Sequence, residues 1–319
     1  MKARVFVSAP LPGPALAGLA GRAEVVVGQT RLGLEDPAFA RAADSFDAVV
    51  TLLTDRVDEA RLGRAARLKV VANVAVGVDN VDLEACAARG VVVTNTPGVL
   101  TEATADLAFG LLLCAARRVC EGDRLVREGG FTGWSPTMLL GARVHGKALG
   151  IVGLGRIGQA VARRARGFGM HVLYAQPRPL AEGLARALGA THVSTKTLFA
   201  ESDFVSLHCP LTPETRGLVG GALLASMKPG SVLVNTARGA CVDEAALARS
   251  LVSGPLGAAG LDVFEDEPKV LPELVLRPNV VLTPHIGSAD RETREKMASM
   301  AADNVMAVLE GREPPNRVR

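Results

Sequence analysis

Ala148-Leu149-Gly150-Ile151-Val152-Gly153-Leu154-Gly155-Arg156-Ile157-Gly158 is an apolar run that ends in a glycine-rich turn and opens into an amphipathic stretch. The run reads as a strand ending at Val152, and a helix is expected to start near Arg156. In that setting each glycine has a mechanical role. Gly153 permits the tight turn, Gly155 lets a pyrophosphate approach the backbone, and Gly158 permits close helix–strand packing. The helix N-terminus adds N–H donors and the positive end of a dipole. A bare GxGxxG is weak in a chain with 34 glycines. The strand before it and the helix after it carry the inference to a dinucleotide-binding turn.

Outward from this turn the chain alternates strand and helix patterns. Upstream, β-branched runs occur at 5–7, 24–27, 48–51, 69–72 and 91–94, with Ala- and Leu-rich helical stretches such as 57–66 and 83–89 between them. Downstream, a second series follows at 171–174, 204–208, 231–235, 258–263 and 280–283. This rhythm predicts parallel sheets covered by helices on both faces. Between the two series, 101–118 reads as one long helix, with Thr101 as N-cap, Glu102 in the first turn, and Leu107, Leu111 and Cys114 on one face. A second amphipathic helix is expected over 290–309. Two long helices bracketing the second series imply that it is inserted into the first domain. The expected division is 1–99 with 287–319 as a substrate domain, and 100–286 as a dinucleotide-binding domain.

At 319 residues the chain suits two domains, and 48% hydrophobic with 22% charged residues is the balance of a soluble globular protein. No run approaches the roughly 18 apolar residues of a membrane span, and no signal-like segment opens the chain. The expected address is cytoplasmic. A net charge of +3, with acids and bases interspersed, gives no nucleic-acid stripe. The five cysteines are scattered, with no CxxC pair and no histidine at ligand spacing, so neither zinc nor a disulfide framework is expected. Cys241 reads as a small, half-buried core residue.

Ligands of doubly wound sheets bind beyond the carboxyl ends of the strands. Three polar residues fall there: Arg238 after Val234-Asn235-Thr236-Ala237, Glu267 after Leu261-Asp262-Val263-Phe264, and His285 after Leu282-Thr283-Pro284. Reducing a 2-keto acid needs a fixed cation for the carboxylate and carbonyl, a proton donor that works near neutral pH, and a carboxylate to orient and charge that donor. Arg238, His285 and Glu267 fill those roles. About 20 residues past the turn, an NAD site carries an acid for the ribose hydroxyl. Here the sequence is Ala175-Gln176-Pro177-Arg178. Gln176 can hydrogen-bond a ribose and Arg178 can pair with a 2′-phosphate, which favours NADP(H) with NAD(H) possible. Arg178 can equally be a solvated loop arginine.

The chain resembles the D-isomer-specific 2-hydroxyacid dehydrogenase family along nearly its whole length, most closely its glyoxylate/hydroxypyruvate reductase branch. The resemblance rests on segments 72–80, 95–100, 104–108, 151–165, 228–230, 236–239, 260–264 with Glu267-Pro268, and 284–288. It implies two flavodoxin/Rossmann-like doubly wound parallel-sheet domains, the cofactor domain inserted into the substrate domain. It implies Arg238, Glu267 and His285 as catalytic residues. Backbone donors at Val76 and Gly77 would hold the substrate carboxylate, with Leu53 near the same cleft. Gly155, Arg156, Ile157 and Gly158 would bind pyrophosphate, and Cys209 and Pro210 would line the adenine side. Thr104, Thr236, Ala237 and Asp262 would lie by the nicotinamide half, with Gly287 also at the cofactor. A homodimer is implied, with 131–141 as its arm. There Trp134, the only tryptophan, either reaches the partner's substrate cleft or anchors the interface. Two rival readings are a reductase of a larger keto acid such as 2-ketogluconate, and a nucleotide-sensing corepressor-like protein. The complete Arg–Glu–His set argues against the second.

Overall fold

The computed structural model describes residues 2–29 and 32–318. The chain divides into two compact units, Met1–Leu100 with Ser288–Arg319, and Thr101–Gly287. Both boundaries lie one residue later than the pattern predicts. Thr101 already belongs to the long helix, and the Gly287 N–H is bonded to Asp262 inside the second unit.

The first unit holds five parallel strands: β1 (Arg4–Val7), β2 (Glu24–Val27), β3 (Ala48–Thr51), β4 (Val70–Asn73) and β5 (Val92–Thr94), in the order β2-β1-β3-β4-β5. Strands β3 and β4 are buried throughout, because a parallel sheet is covered on both faces. Alternate side chains supply two cores. Val5, Val7, Val50 and Ala72 meet Leu19 and the helix Arg291–Leu309 through Ala298, Ala301 and Val305. Phe6, Val49 and Val71 meet Phe39, Phe46 and Leu62. Asp290 caps the last helix by accepting from the Thr293 N–H at 2.7 Å.

The second unit holds seven parallel strands: β6 (Ala148–Val152), β7 (His171–Ala175), β8 (Ala190–His192), β9 (Phe204–Leu207), β10 (Ser231–Asn235), β11 (Leu256–Leu261) and β12 (Val280–Leu282). Their order is β12-β11-β10-β9-β6-β7-β8. The chain winds outward from β6 on one side and from β9 on the other, so a crevice opens between their carboxyl ends. The helix Thr101–Arg117 packs on β10, β11 and the helix Arg156–Gly167. Salt bridges from Arg164 to Glu102 (2.8 Å) and Asp106 (2.6 Å), and from Arg163 to Glu102 (3.0 Å), fix the two helices together.

Several local expectations are corrected. The long helix starts at Thr101 itself and ends at Arg117. Arg118 takes a left-handed conformation (φ 53°), and a separate helix Val119–Arg127 follows with no buried residue. The long helix also buries more than the predicted face: Ala105, Ala108, Leu112 and Ala116 lie deeper than Leu107 and Cys114, because sheet and helix enclose it. The predicted helix at 57–66 shrinks to Glu59–Leu62. Strand β11 runs Leu256–Leu261 rather than 258–263, and β8 has no counterpart in the hydrophobic pattern. Cys241 is fully buried, not half-buried. Among the described residues, no helix is long and apolar enough to cross a membrane.

Candidate active site

The glycine turn follows β6 at the switch point. Gly153 has φ 89°, and a Cβ there would lie 2.8 Å from the Cys209 N, so the turn rests directly on the backbone after β9. Gly158 faces the Gly153 carbonyl and lies against Ile151 with no room for a Cβ. Gly155 is different. Its backbone is extended (φ −73°, ψ −163°), and a Cβ would meet nothing within 4 Å. The fold does not require a glycine here. The open space lies at the N-terminus of Arg156–Gly167, where Arg156 and Ile157 form the first turn with N–H groups available to an anion.

Gln176 follows β7, where the ribose acid is absent. Its Oε1 accepts from the Leu154 N–H at 2.9 Å and its Nε2 donates to the Arg178 carbonyl at 2.7 Å. The side chain therefore ties the glycine turn to its neighbouring loop, a use that the sequence does not disclose. Tyr174 pins the same loop by accepting from the Leu180 N–H at 3.0 Å. Arg178 is exposed, and among the described residues its guanidinium has no partner. Cys209 is buried under the turn, and Pro210 beside it is exposed. These residues fit a dinucleotide: an open glycine cradle, a helix N-terminus and an uncommitted cation.

Thr236, Ala237 and Arg238 follow β10. Asn235, which the sequence reading passes over, shapes this turn. Its Oδ1 accepts from the Ala237 N–H at 3.0 Å, and its Nδ2 donates to the Arg238 carbonyl at 2.9 Å. Among the described residues, the buried Thr236 hydroxyl has no hydrogen-bond partner. After β11, the Asp262 carboxylate accepts from Thr283 Oγ1 (2.6 Å) and from the N–H groups of Ile286 and Gly287 (2.8 Å each). Burial still pushes its carboxyl above the usual range. Thr104 packs against Gly287, where a Cβ would lie 3.4 Å from the threonine methyl. Thr104, Asp262 and Gly287 thus come together.

His285 has φ 53°, a left-handed conformation that an ordinary residue adopts only when its surroundings hold it. The Asp262 carbonyl accepts the His285 N–H at 2.9 Å, and the Asp262 carboxylate grips the next two amides. The backbone so held turns the imidazole to Glu267, with Nδ1 to Oε2 at 2.8 Å. Glu267 Oε1 accepts from the Phe264 N–H at 3.0 Å. The His285 and Glu267 side chains are 24% and 27% exposed, open to a reactant on one side. Burial alone would push the Glu267 carboxyl up. The His285 bond, the Phe264 N–H and the charge of Arg238 outweigh it and hold the carboxyl below its usual range. Arg238 therefore lies within electrostatic reach of the pair. Burial pushes His208 down to about 4, which leaves it neutral near pH 7.

In the first unit, Val76 and Gly77 lie in the loop after β4, and Leu53 in the turn after β3. The Val76 carbonyl accepts from Asn95 Nδ2 at 2.8 Å and the Gly77 carbonyl from Asn73 Nδ2 at 2.9 Å. Among the described residues, neither amide N–H has a partner. Two held carbonyls beside two uncommitted donors suit an anion. Among the described residues, no three His, Cys, Asp or Glu side chains group as metal ligands. Trp134 is 77% exposed in a stretch without regular structure, near exposed Phe131 and Leu140 in sequence.

Known proteins resemble this chain. Residues 109–287 match the family model "D-isomer specific 2-hydroxyacid dehydrogenase, NAD binding domain". A glyoxylate reductase of Thermococcus litoralis is 53% identical over 278 residues, 85% of this chain and 83% of that one. Another, of Korarchaeum cryptofilum, is 48% identical over 100% of this chain and 96% of its own. Among solved structures, a Thermus thermophilus protein superposes with a TM-score of 0.90 at 49% identity, covering 99% of this chain and 100% of that one. An NADPH-dependent glyoxylate/hydroxypyruvate reductase from Sinorhizobium meliloti, in complex with NADP and malonate, has a TM-score of 0.89 at 34% identity, covering 100% and 97%. A family match over more than half the chain, a shared two-sheet fold and relatives aligned nearly end to end place it: the chain belongs to the D-isomer specific 2-hydroxyacid dehydrogenase family, whose nicotinamide cofactor the second unit is built to bind.

Proposed function

We propose that this chain reduces glyoxylate and hydroxypyruvate to their 2-hydroxy acids, with NADPH preferred and NADH accepted. The observation that carries the reading is the His285–Glu267 pair at 2.8 Å, half-open and within reach of the charge of Arg238. Gly153, Gly155, Arg156, Ile157 and Gly158 would hold the pyrophosphate, with Cys209 and Pro210 on the adenine side and Thr104, Thr236, Ala237, Asp262 and Gly287 at the other half. When bound, the nicotinamide supplies the hydride. Arg238 holds the substrate carboxylate in a planar, multidentate way and polarises the carbonyl. His285 uses Nδ1 for Glu267, so Nε2 is the nitrogen that gives a proton to the carbonyl oxygen. Glu267 favours the imidazolium and fixes the ring. In the first unit, the Val76 and Gly77 amides and Leu53, which follow β4 and β3, would serve the substrate carboxylate.

The preference for NADPH rests on Gln176 in place of an acid, on the uncommitted guanidinium of Arg178, and on the cofactor named for the Sinorhizobium relative. The arm supports a homodimer. The helix Val119–Arg127 has no fully buried residue, and Phe131, Trp134 and Leu140 are exposed. Trp134 then reaches the partner copy's substrate site; unchanged KM for every keto acid in an intact Trp134→Ala dimer would sink that assignment. Five free cysteines suit a reducing cytoplasm.

The test is a keto-acid panel, assayed with NADPH and NADH. The highest kcat/KM is expected on glyoxylate or hydroxypyruvate with NADPH. A clear preference for 2-ketogluconate would overturn the substrate. Nucleotide binding with no keto-acid reduction would overturn the activity. His285→Ala should lower turnover by about two or more orders of magnitude.

A further inference from the structure

Glu244 is the first residue of the helix Glu244–Ser253, but it does not cap that helix. Asp243 does so, accepting from the Ala246 N–H at 2.8 Å. Glu244 is instead only 9% exposed, unusual for a glutamate. Its Oε1 accepts from the Glu265 N–H at 2.8 Å, in the loop after β11. From elsewhere in the fold, Gly239 lies so close to the Phe264–Glu265 peptide that a Cβ would land within it. One peptide unit is thus held both by the backbone next to Arg238 and by the Glu244 carboxylate. Two residues further on, Glu267 meets His285.

We propose that Glu244 is a positioning residue for the proton-donating pair, its buried carboxylate holding the 264–268 loop so that Glu267 stays against His285. The proposal rests on the assignment of His285 and Glu267 made above. Placing this carboxylate here works against the local electrostatics. Burial pushes it up, the Glu265 N–H pulls it down, and the charges of Glu265 and Glu267 push it up again. The charged groups acting on Glu267 are His285 and Arg238, and Glu244 lies within reach of its charge. With the Glu244 contact gone, Phe264 and Glu265 are held from one side only. Glu267 then supports the imidazolium less well.

The experiment compares Glu244→Ala, Glu244→Asp and Glu244→Gln in the full chain, with Glu267→Gln and His285→Ala alongside. Glu244→Asp keeps an acid at the helix start but withdraws the acceptor by one methylene, so it guards against a variant that fails to fold. Ala and Asp are expected to lower kcat by roughly tenfold, the factor for one hydrogen bond to a charged group. KM for the nucleotide should hold within about twofold, and the high-pH limb of kcat/KM should move to lower pH. Gln, which keeps an acceptor at the same reach, should restore most of the loss. In a Glu267→Gln background the Glu244→Asp loss should largely disappear, because both act through one pair. Wild-type kcat and pH profile in a folded Ala or Asp variant, no rescue by Gln, or a full additional loss on Glu267→Gln would each overturn the proposal. If His285→Ala keeps its turnover, the catalytic reading fails instead.

Discussion

The glycine turn offers a test that separates the needs of the fold from those of the cofactor. Gly155→Ala adds a methyl that meets nothing within 4 Å, on a backbone that any residue adopts. The loss of glycine freedom in the unfolded chain and the weaker N-cap preference of alanine oppose each other, each at about 1 kcal/mol or less. The apo protein should therefore melt within about 4 °C of wild type. The same methyl occupies the space in which a pyrophosphate would approach the helix N-terminus. Loss of one hydrogen bond to a charged group, about 1.5–3 kcal/mol, raises KM for NADPH by roughly ten- to 150-fold. Gly158→Ala should behave in the opposite way. Its methyl would run into the Gly153 carbonyl and lie 3.1 Å from the Ile151 side chain. Neither backbone nor core can give easily, and overpacking of this kind destabilises by about 1–3 kcal/mol. Thermal melts without nucleotide, followed by NADPH titration and steady-state kinetics, read both effects. A Gly155→Ala variant that binds NADPH within twofold of wild type would refute the cradle. One that melts far below wild type would show that the glycine serves the fold.

Asp262→Ala leaves Thr283 Oγ1 and the Ile286 and Gly287 amides without their acceptor. At about 1–3 kcal/mol for each unsatisfied donor, urea denaturation should show a loss of at least roughly 3 kcal/mol; less than 1 kcal/mol would contradict the clamp on His285. Arg178→Ala should raise KM for NADPH about tenfold and leave that for NADH within about twofold, as removal of a charge-assisted phosphate contact requires. Equal effects on both nucleotides would remove Arg178 from cofactor choice. Glu267 titrates below its usual 4.5 in the folded state, so its contribution to stability is complete above the unfolded value and is lost as pH falls through the folded one. The stability gap between wild type and Glu267→Gln should therefore narrow as pH falls below the usual 4.5. Denaturation at a series of pH values measures it, and a constant gap would refute the pairing.

Much of the fold is legible along the chain because parallel strands enclosed on both faces leave continuous apolar runs, as at Ala48–Thr51 and Ser231–Asn235. The glycine turn is legible because its strand, turn and helix are contiguous. Strand β8 is not legible. At the sheet edge it pairs through its backbone with β7, and its Thr191 and His192 side chains are exposed, so no apolar pattern marks it. The break at Arg118 is equally hidden, since Arg117 and Arg118 are both good helix formers and the left-handed turn has no glycine to announce it. Arg238, Glu267 and His285 are legible as candidates because each follows a recognisable strand. How they are held comes from long-range contacts. The Glu244 contact with Glu265 spans 21 residues and the Asp262 grip on Gly287 spans 25. Hydrogen bonds across such separations leave no periodicity in a sequence: their partners meet only when neighbouring strands bring their carboxyl ends together.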